Sequence, residues 1–170
     1  MDEIQSWINS YLPHLKLNVL GEETLNTLYM TLVSGALSCL LGILIGVALF
    51  LTAKDGYKEQ VSIYRTLSFI VNIFRAIPFI ILIILLFPFT KLIVGTILGV
   101  NAALPALVIS AAAFYARLVE LALREVDKGV IEASLSMGAN LPTLIFKVLL
   151  PESSPALVSG LTVTLISLVG

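Results

Sequence analysis

The chain has 170 residues, is 58% hydrophobic with a mean hydropathy of +1.03, and carries 12% charged residues for a formal net charge of -1. Soluble domains average about 25% charge, and a chain this short cannot hide so much apolar surface in one core, so a lipid bilayer is the expected solvent. With one histidine (His14) and one cysteine (Cys39) there is no metal-ligand cluster, Cys/His nucleophile pair or internal disulfide. No GxxxxGK[ST] phosphate loop appears either, so the chain does not itself hold a nucleotide in that way; no covalent chemistry, cofactor or nucleic-acid partner is expected of it.

At the N-terminus, Ile4, Trp7, Ile8, Tyr11, Leu12 and Leu15 recur at helical spacing. They predict a short amphipathic helix at the membrane interface, ended or bent at Pro13, set against lipid or against the protein's own spans. Asp2 and Glu3 make this start acidic, unlike a secretory signal, so the following apolar run is expected to remain as a span.

Span 1 is expected over 24–51, capped by Thr24. Gly42 and Gly46 have the small-xxx-small spacing that lets helices approach closely, here within one subunit rather than as a dimer motif. Cys39 reads as a small packing residue.

A polar loop, Lys54 to Gln60, precedes span 2, expected over 66–87 with Pro88 as its end. Arg75 interrupts this span. The part after it, Ala76 to Phe87, would be only ~18 Å of helix against a ~30 Å hydrocarbon core, so Arg75 is expected inside the span. Snorkelling, structural pairing and a place on the transport pathway all remain open for it. Pro78 is expected to kink the helix.

Phe89 to Asn101 reads as a loop or re-entrant turn. Span 3 is expected over 101–123 with Asn101 as its cap, continuing into water on the ion pairs of Arg117, Glu120 and Arg124. Span 4 is expected over 153–170.

Basic residues give the orientation. Lys54, Lys58, Arg65, Arg75, Arg117, Arg124, Lys128 and Lys147 fall on one side, and Lys16 and Lys91 on the other. The richer side is expected to be cytoplasmic and the N-terminus outside.

The cytoplasmic loop over 126–151 is the most informative stretch. Val126, Val130, Ala133 and Met137 share one face of a short helix from Asp127 to Met137. Gly138 is placed to end it, and Asn140 and Pro142 to start a second short helix. Residue chemistry alone leaves two readings: a solvated connector, or a lever that a cytosolic partner pushes.

Glu132-Ala133-Ser134, then three residues, Gly138, nine residues, and Val148-Leu149-Leu150-Pro151 together resemble the EAA loop of binding-protein-dependent ABC transporter permeases. Ser134 replaces the family's second Ala and Val148 its Ile. The segments Asn72 to Ile80, Ile93 to Thr96, Ala116 to Glu120 and Lys147 to Glu152 are similar to the methionine-uptake members. The resemblance implies an all-α polytopic transmembrane bundle of the ABC importer permease type, a single permease domain with short cytoplasmic coupling helices in the cell inner membrane. It implies a second permease copy, a pair of ATPase subunits on the cytoplasmic side, an extracytoplasmic substrate-binding lipoprotein, methionine as substrate and alternating access as mechanism. Glu132, Ala133, Ser134, Gly138, Ala139 and Pro142 would make or shape the ATPase contact. Arg75 and Pro78 would be structural or pathway residues. Family members have about five spans, so a last span after Gly170 is expected to be missing. A permease for another small solute, a secondary transporter and a membrane anchor are the alternatives. The near-absence of ionisable residues in the spans argues against an ion-coupled carrier.

Overall fold

The computed structural model describes residues 17–54 and 56–169, with side chains from Val19 onward. The expected interfacial helix, His14 and Gly170 lie outside the described residues. Among those described, every regular element is a helix: α1 (Leu17–Thr52), α2 (Val61–Ala76), α3 (Phe79–Val94), α4 (Val100–Arg124), α5 (Lys128–Ser136), α6 (Leu141–Glu152) and α7 (Ser154–Val169).

α1 has 36 residues, about 54 Å at 1.5 Å per residue, and so outruns a ~30 Å hydrocarbon core. Thr24 does not cap it. That residue lies inside the helix and its hydroxyl donates to the Leu20 carbonyl at 2.7 Å. The segments Val19–Thr52 and Val100–Arg124 are each long and apolar enough to cross a membrane.

The region expected as one span over 66–87 is two helices, α2 and α3, bent by 113°. The residue before a proline is pushed out of the helical region, and Ile77 takes φ -75°, ψ 124°. α2 therefore stops at Ala76, and Pro78 starts the next helix as its N-cap. The expected kink is a full break. Pro88 does not end a helix but sits inside α3, which runs on to Gly95. A proline in an apolar helix is tolerated where its surroundings absorb the lost backbone bond. The left-handed φ of 82° at Gly95 is the actual stop. α4 then begins behind Gly99 (φ 94°), not behind Asn101.

α4 is the centre of the bundle and touches α1, α2, α3 and α7. Its most extensive partner is α1, through the small residues. A Cβ on Gly42 would stand 2.6 Å from Tyr115 Cδ1, and one on Gly46 2.7 Å from the Ala116 carbonyl oxygen. The GxxxG spacing is thus used within the chain. Ser38 donates to the Val108 carbonyl at 3.1 Å and Tyr115 to the Leu157 carbonyl at 3.2 Å, tying α1 and α7 to the same helix.

One core cluster gathers Val47 and Leu51 of α1, Tyr115, Val119 and Leu123 of α4, Leu144 and Leu149 of α6, and Leu157 of α7. The loop after α4 is therefore rooted in the same apolar core as the long helices.

Candidate functional site

α5 is capped by Asp127, whose side chain accepts from the Gly129 backbone N–H at 2.6 Å. This cap is legible as an Asp just ahead of a helical run, and it places the helix start one residue later than the expected Asp127. The buried side of α5 is Ile131, Ser134 and Leu135, and Ile131 and Leu135 pack on the central core. The expected apolar face divides. Val126 is buried, while Val130, Ala133 and Met137 point outward, Met137 being 82% exposed. Apolar periodicity finds a helix face but does not say whether the chain itself covers it.

Gly138 has φ 84° with nothing within 4 Å of an added Cβ, so its backbone angle, not space, demands glycine. Its N–H donates to the Leu135 carbonyl at 2.9 Å, and the Ala139 N–H to the Ser134 carbonyl at 3.1 Å. This double clasp is the Schellman motif, which satisfies the last carbonyls of α5 and turns the chain. The Asn140 side chain then accepts from the Thr143 N–H at 3.0 Å, capping α6. Pro142 lies in the first turn, where a missing N–H costs nothing.

α6 is longer than the expected short helix. Its middle, Leu144–Leu149, is wound as a π turn just ahead of Pro151. The Leu150 N–H reaches back to the Ile145 carbonyl, one residue further than in an α-helix. Such insertions recur at functional segments.

Of the residues expected to form the site, Glu132, Ala133, Gly138 and Pro142 are exposed, Ala139 is half-buried and Ser134 is buried. The Ser134 hydroxyl donates to the Val130 carbonyl at 2.7 Å, within α5. Glu132 lines a cavity of about 440 Å³ between α5 and the end of α1, with Phe50, Lys54, Tyr57 and Arg124. Arg75 and Pro78 are elsewhere, at the α2–α3 break, and Arg75 lines a separate cavity.

Glu120 was expected among exposed ion pairs but is 3% exposed. Arg117 and Arg124 both pair with it, Arg124 at 2.8 Å, and the Tyr64 hydroxyl donates to it at 3.1 Å. Arg117 also donates to Ser68 and, at 3.1 Å, to Asn72. Tyr64, Ser68 and Asn72 are the residues that sequence reasoning missed. Their signal is a polar stripe at i, i+4, i+8 along one face of α2.

Residues 38–170 match the family model for the binding-protein-dependent transport system inner membrane component. The chain belongs to this family. It is 59% identical over 160 residues to a methionine import system permease protein of Bacillus subtilis, covering 94% of this chain and 72% of that relative. It is 51% identical over 144 residues to the D-methionine transport system permease protein of Escherichia coli, covering 85% and 66% respectively. Among solved structures, an inward-facing methionine ABC transporter matches with a TM-score of 0.83 at 50% identity, over 85% of this chain and 67% of that one. An amino acid ABC transporter at 19% identity (TM-score 0.59, 91% of this chain and 72% of that one) shares the fold. The all-α permease architecture and a place in the inner membrane follow from this membership.

Proposed function

We propose that this chain is a permease subunit of an ATP-driven methionine importer. The observation that carries the reading is the 59% identity with a methionine import permease across 94% of the chain, together with the α5–Gly138–α6 hairpin rooted in the central core. Substrate crosses by alternating access, and ATP is hydrolysed on a separate subunit. A second permease copy, a pair of ATPase subunits and an extracytoplasmic binding lipoprotein complete the machine.

The chain forms one transmembrane domain. α1 and α4 each cross once, and the bent pairs α2–α3 and α6–α7 supply two further crossings. The distribution of basic residues supports an outside N-terminus and a cytoplasmic α5–α6 hairpin. In that orientation the outward-facing Val130, Ala133 and Met137 offer the ATPase an apolar strip beside Glu132. Ala133 allows close approach, Glu132 supplies a charge or hydrogen bond, and Gly138 keeps α5 at its angle to α6. Ser134, Ala139 and Pro142 shape the hairpin from within.

Gly138→Leu tests this in the full-length transporter. A left-handed backbone is strained for a branched side chain, so α5 tilts while the spans still insert. ATP hydrolysis is expected to continue while methionine uptake falls about five- to thirtyfold for a strain of ~1–2 kcal/mol at the joint. Unchanged uptake by this variant would remove the coupling role from the hairpin.

A further inference from the structure

Arg75 stands in the last turn of α2, next to the break at Ile77–Pro78. Its guanidinium carbon lies 5.9 Å from the centre of the Phe114 ring. Both ion pairs among the described residues belong to the Glu120 cluster, so Arg75 has no carboxylate partner there. An unneutralised cation within a bilayer-spanning region is costly and needs a reason.

The cavity beside it supplies one. It holds about 660 Å³, within the range of about 300–1,000 Å³ typical of small-molecule sites, and lies between α2–α3, α4 and α7. Phe79, Leu107 and Phe114 give it apolar and aromatic walls, and Ser110, Thr164 and Ser167 its hydroxyls. No acidic side chain lines it.

The hydroxyls are oriented by the backbone. Thr164 donates its proton to the Gly160 carbonyl at 2.8 Å and Ser167 its proton to the Val163 carbonyl at 2.9 Å. Each oxygen is left with lone pairs that can only accept. The wall therefore carries one exposed cation at its edge, hydrogen-bond acceptors on the opposite helix and an apolar floor between them.

We propose that this cavity is a transit subsite for a zwitterionic amino acid with an apolar side chain. The substrate carboxylate meets the Arg75 fork, a bidentate geometry that guanidinium matches better than ammonium. The α-ammonium meets the Thr164 and Ser167 oxygens. A thioether chain lies along Phe114 and Leu107, where sulfur–aromatic contact is favourable. The α2–α3 break places Arg75 at the mouth of the cavity instead of burying it along a continuous helix, so a change in the bend opens or closes the contact. Arg75 is then a substrate-binding residue whose counter-ion is the cargo itself.

The proposal rests on the methionine reading, and the test separates the two. The full-length permease, assembled with its ATPase in lipid vesicles, carries Ser110→Cys on a Cys39→Ser background. Labelling of the new thiol by a membrane-permeant maleimide is followed with methionine or with methioninol, which lacks the carboxylate. Methionine is expected to slow labelling and methioninol to leave it unchanged. Adding R75Q is expected to raise the methionine concentration for half-protection by about tenfold or more, with R75K intermediate. Full labelling at saturating methionine, in vesicles that take up labelled methionine, overturns the subsite and leaves the transport function standing. Equal protection by methioninol overturns it as well. Vesicles that take up a different amino acid instead refute the methionine reading, and protection by that amino acid then decides the subsite. If the cysteine variant does not assemble, binding of labelled methionine to the wild-type and R75Q complexes reads the same contact: equal affinity overturns the proposal, and a loss of about tenfold or more supports it.

Discussion

Glu120 shows what a single residue contributes to this fold. Buried at 3% exposure, it neutralises Arg117 and Arg124 and accepts from Tyr64, so one carboxylate joins α2 to α4. Removing one partner of a buried charge network leaves the others uncompensated, at a cost of about 3–5 kcal/mol. Glu120→Ala is therefore expected to destabilise the permease by roughly 3 kcal/mol, less whatever hydration Arg124 recovers at the surface. Tyr64→Phe, which removes one hydrogen bond, is expected to cost only about 1 kcal/mol. Thermal unfolding of the purified transporter in detergent measures both, and equal losses for the two variants would mean that the carboxylate is not the hub. The spacing of Arg117, Glu120 and Arg124 is plain in the sequence, but it reads as a surface ladder. Its burial depends on α2 folding back over that face, a long-range event that no local pattern announces. Gly138 is the opposite case. Its place after a helical run, with Asn140 two residues on, is local chemistry, and the left-handed turn and the cap both form there.

Element boundaries depend on which proline the chain obeys. Pro78 and Pro88 carry the same local penalty, yet one breaks the chain and the other is absorbed in α3. Ile77 in an extended conformation before Pro78 commits that site to a turn. At Pro88 the chain stays helical on both sides, and the turn waits for the left-handed Gly95. Sequence spacing does better with the α1–α4 pair, because Gly42 and Gly46 mark a close approach that admits few alternatives. A Cβ on Gly46 would meet Val119 Cβ at 2.5 Å as well as the Ala116 carbonyl, and a backbone oxygen cannot move out of the way as a side-chain tip can. Gly46→Ala is expected to push the two helices apart and to cost about 1–3 kcal/mol. Gly21→Ala, with nothing within 4 Å of the new methyl, is the matched control in the same helix and should be neutral or slightly stabilising. Chemical denaturation of the two variants in detergent compares them directly, and a Gly46→Ala permease as stable as the control would contradict the close packing.

At the scale of the molecule, the core and the α5–Gly138–α6 hairpin are one body. Leu144 and Leu149 of α6 are 1% and 0% exposed and share a cluster with α1, α4 and α7. The turn at Gly138 and Ala139 closes the end of α5, and Ile131 and Leu135 of α5 pack against the same cluster. A force on the outward face of α5 therefore passes into packed side chains before it reaches solvent, and close-packed interiors transmit strain. The helix before Gly138, the turn at that glycine and the cap at Asn140 were legible from the loop pattern. The rooting of α6 was not, because its buried leucines sit in a stretch whose π winding shifts the helical period on which face assignment depends. This arrangement gives the coupling proposal a mechanical test that leaves the ATPase-facing surface untouched. Leu144→Ala leaves a cavity under α6 and costs about 2–5 kcal/mol of packing, while Glu132, Ala133 and Met137 keep their exposure. The ATPase is expected to bind this variant as before, and hydrolysis to continue, but more ATP should be consumed for each methionine taken up. The stoichiometry of uptake against phosphate release, in vesicles holding the complete transporter, gives that ratio. A ratio unchanged from wild type, with ATPase binding intact, would show that the hairpin moves the spans by a route other than its apolar root.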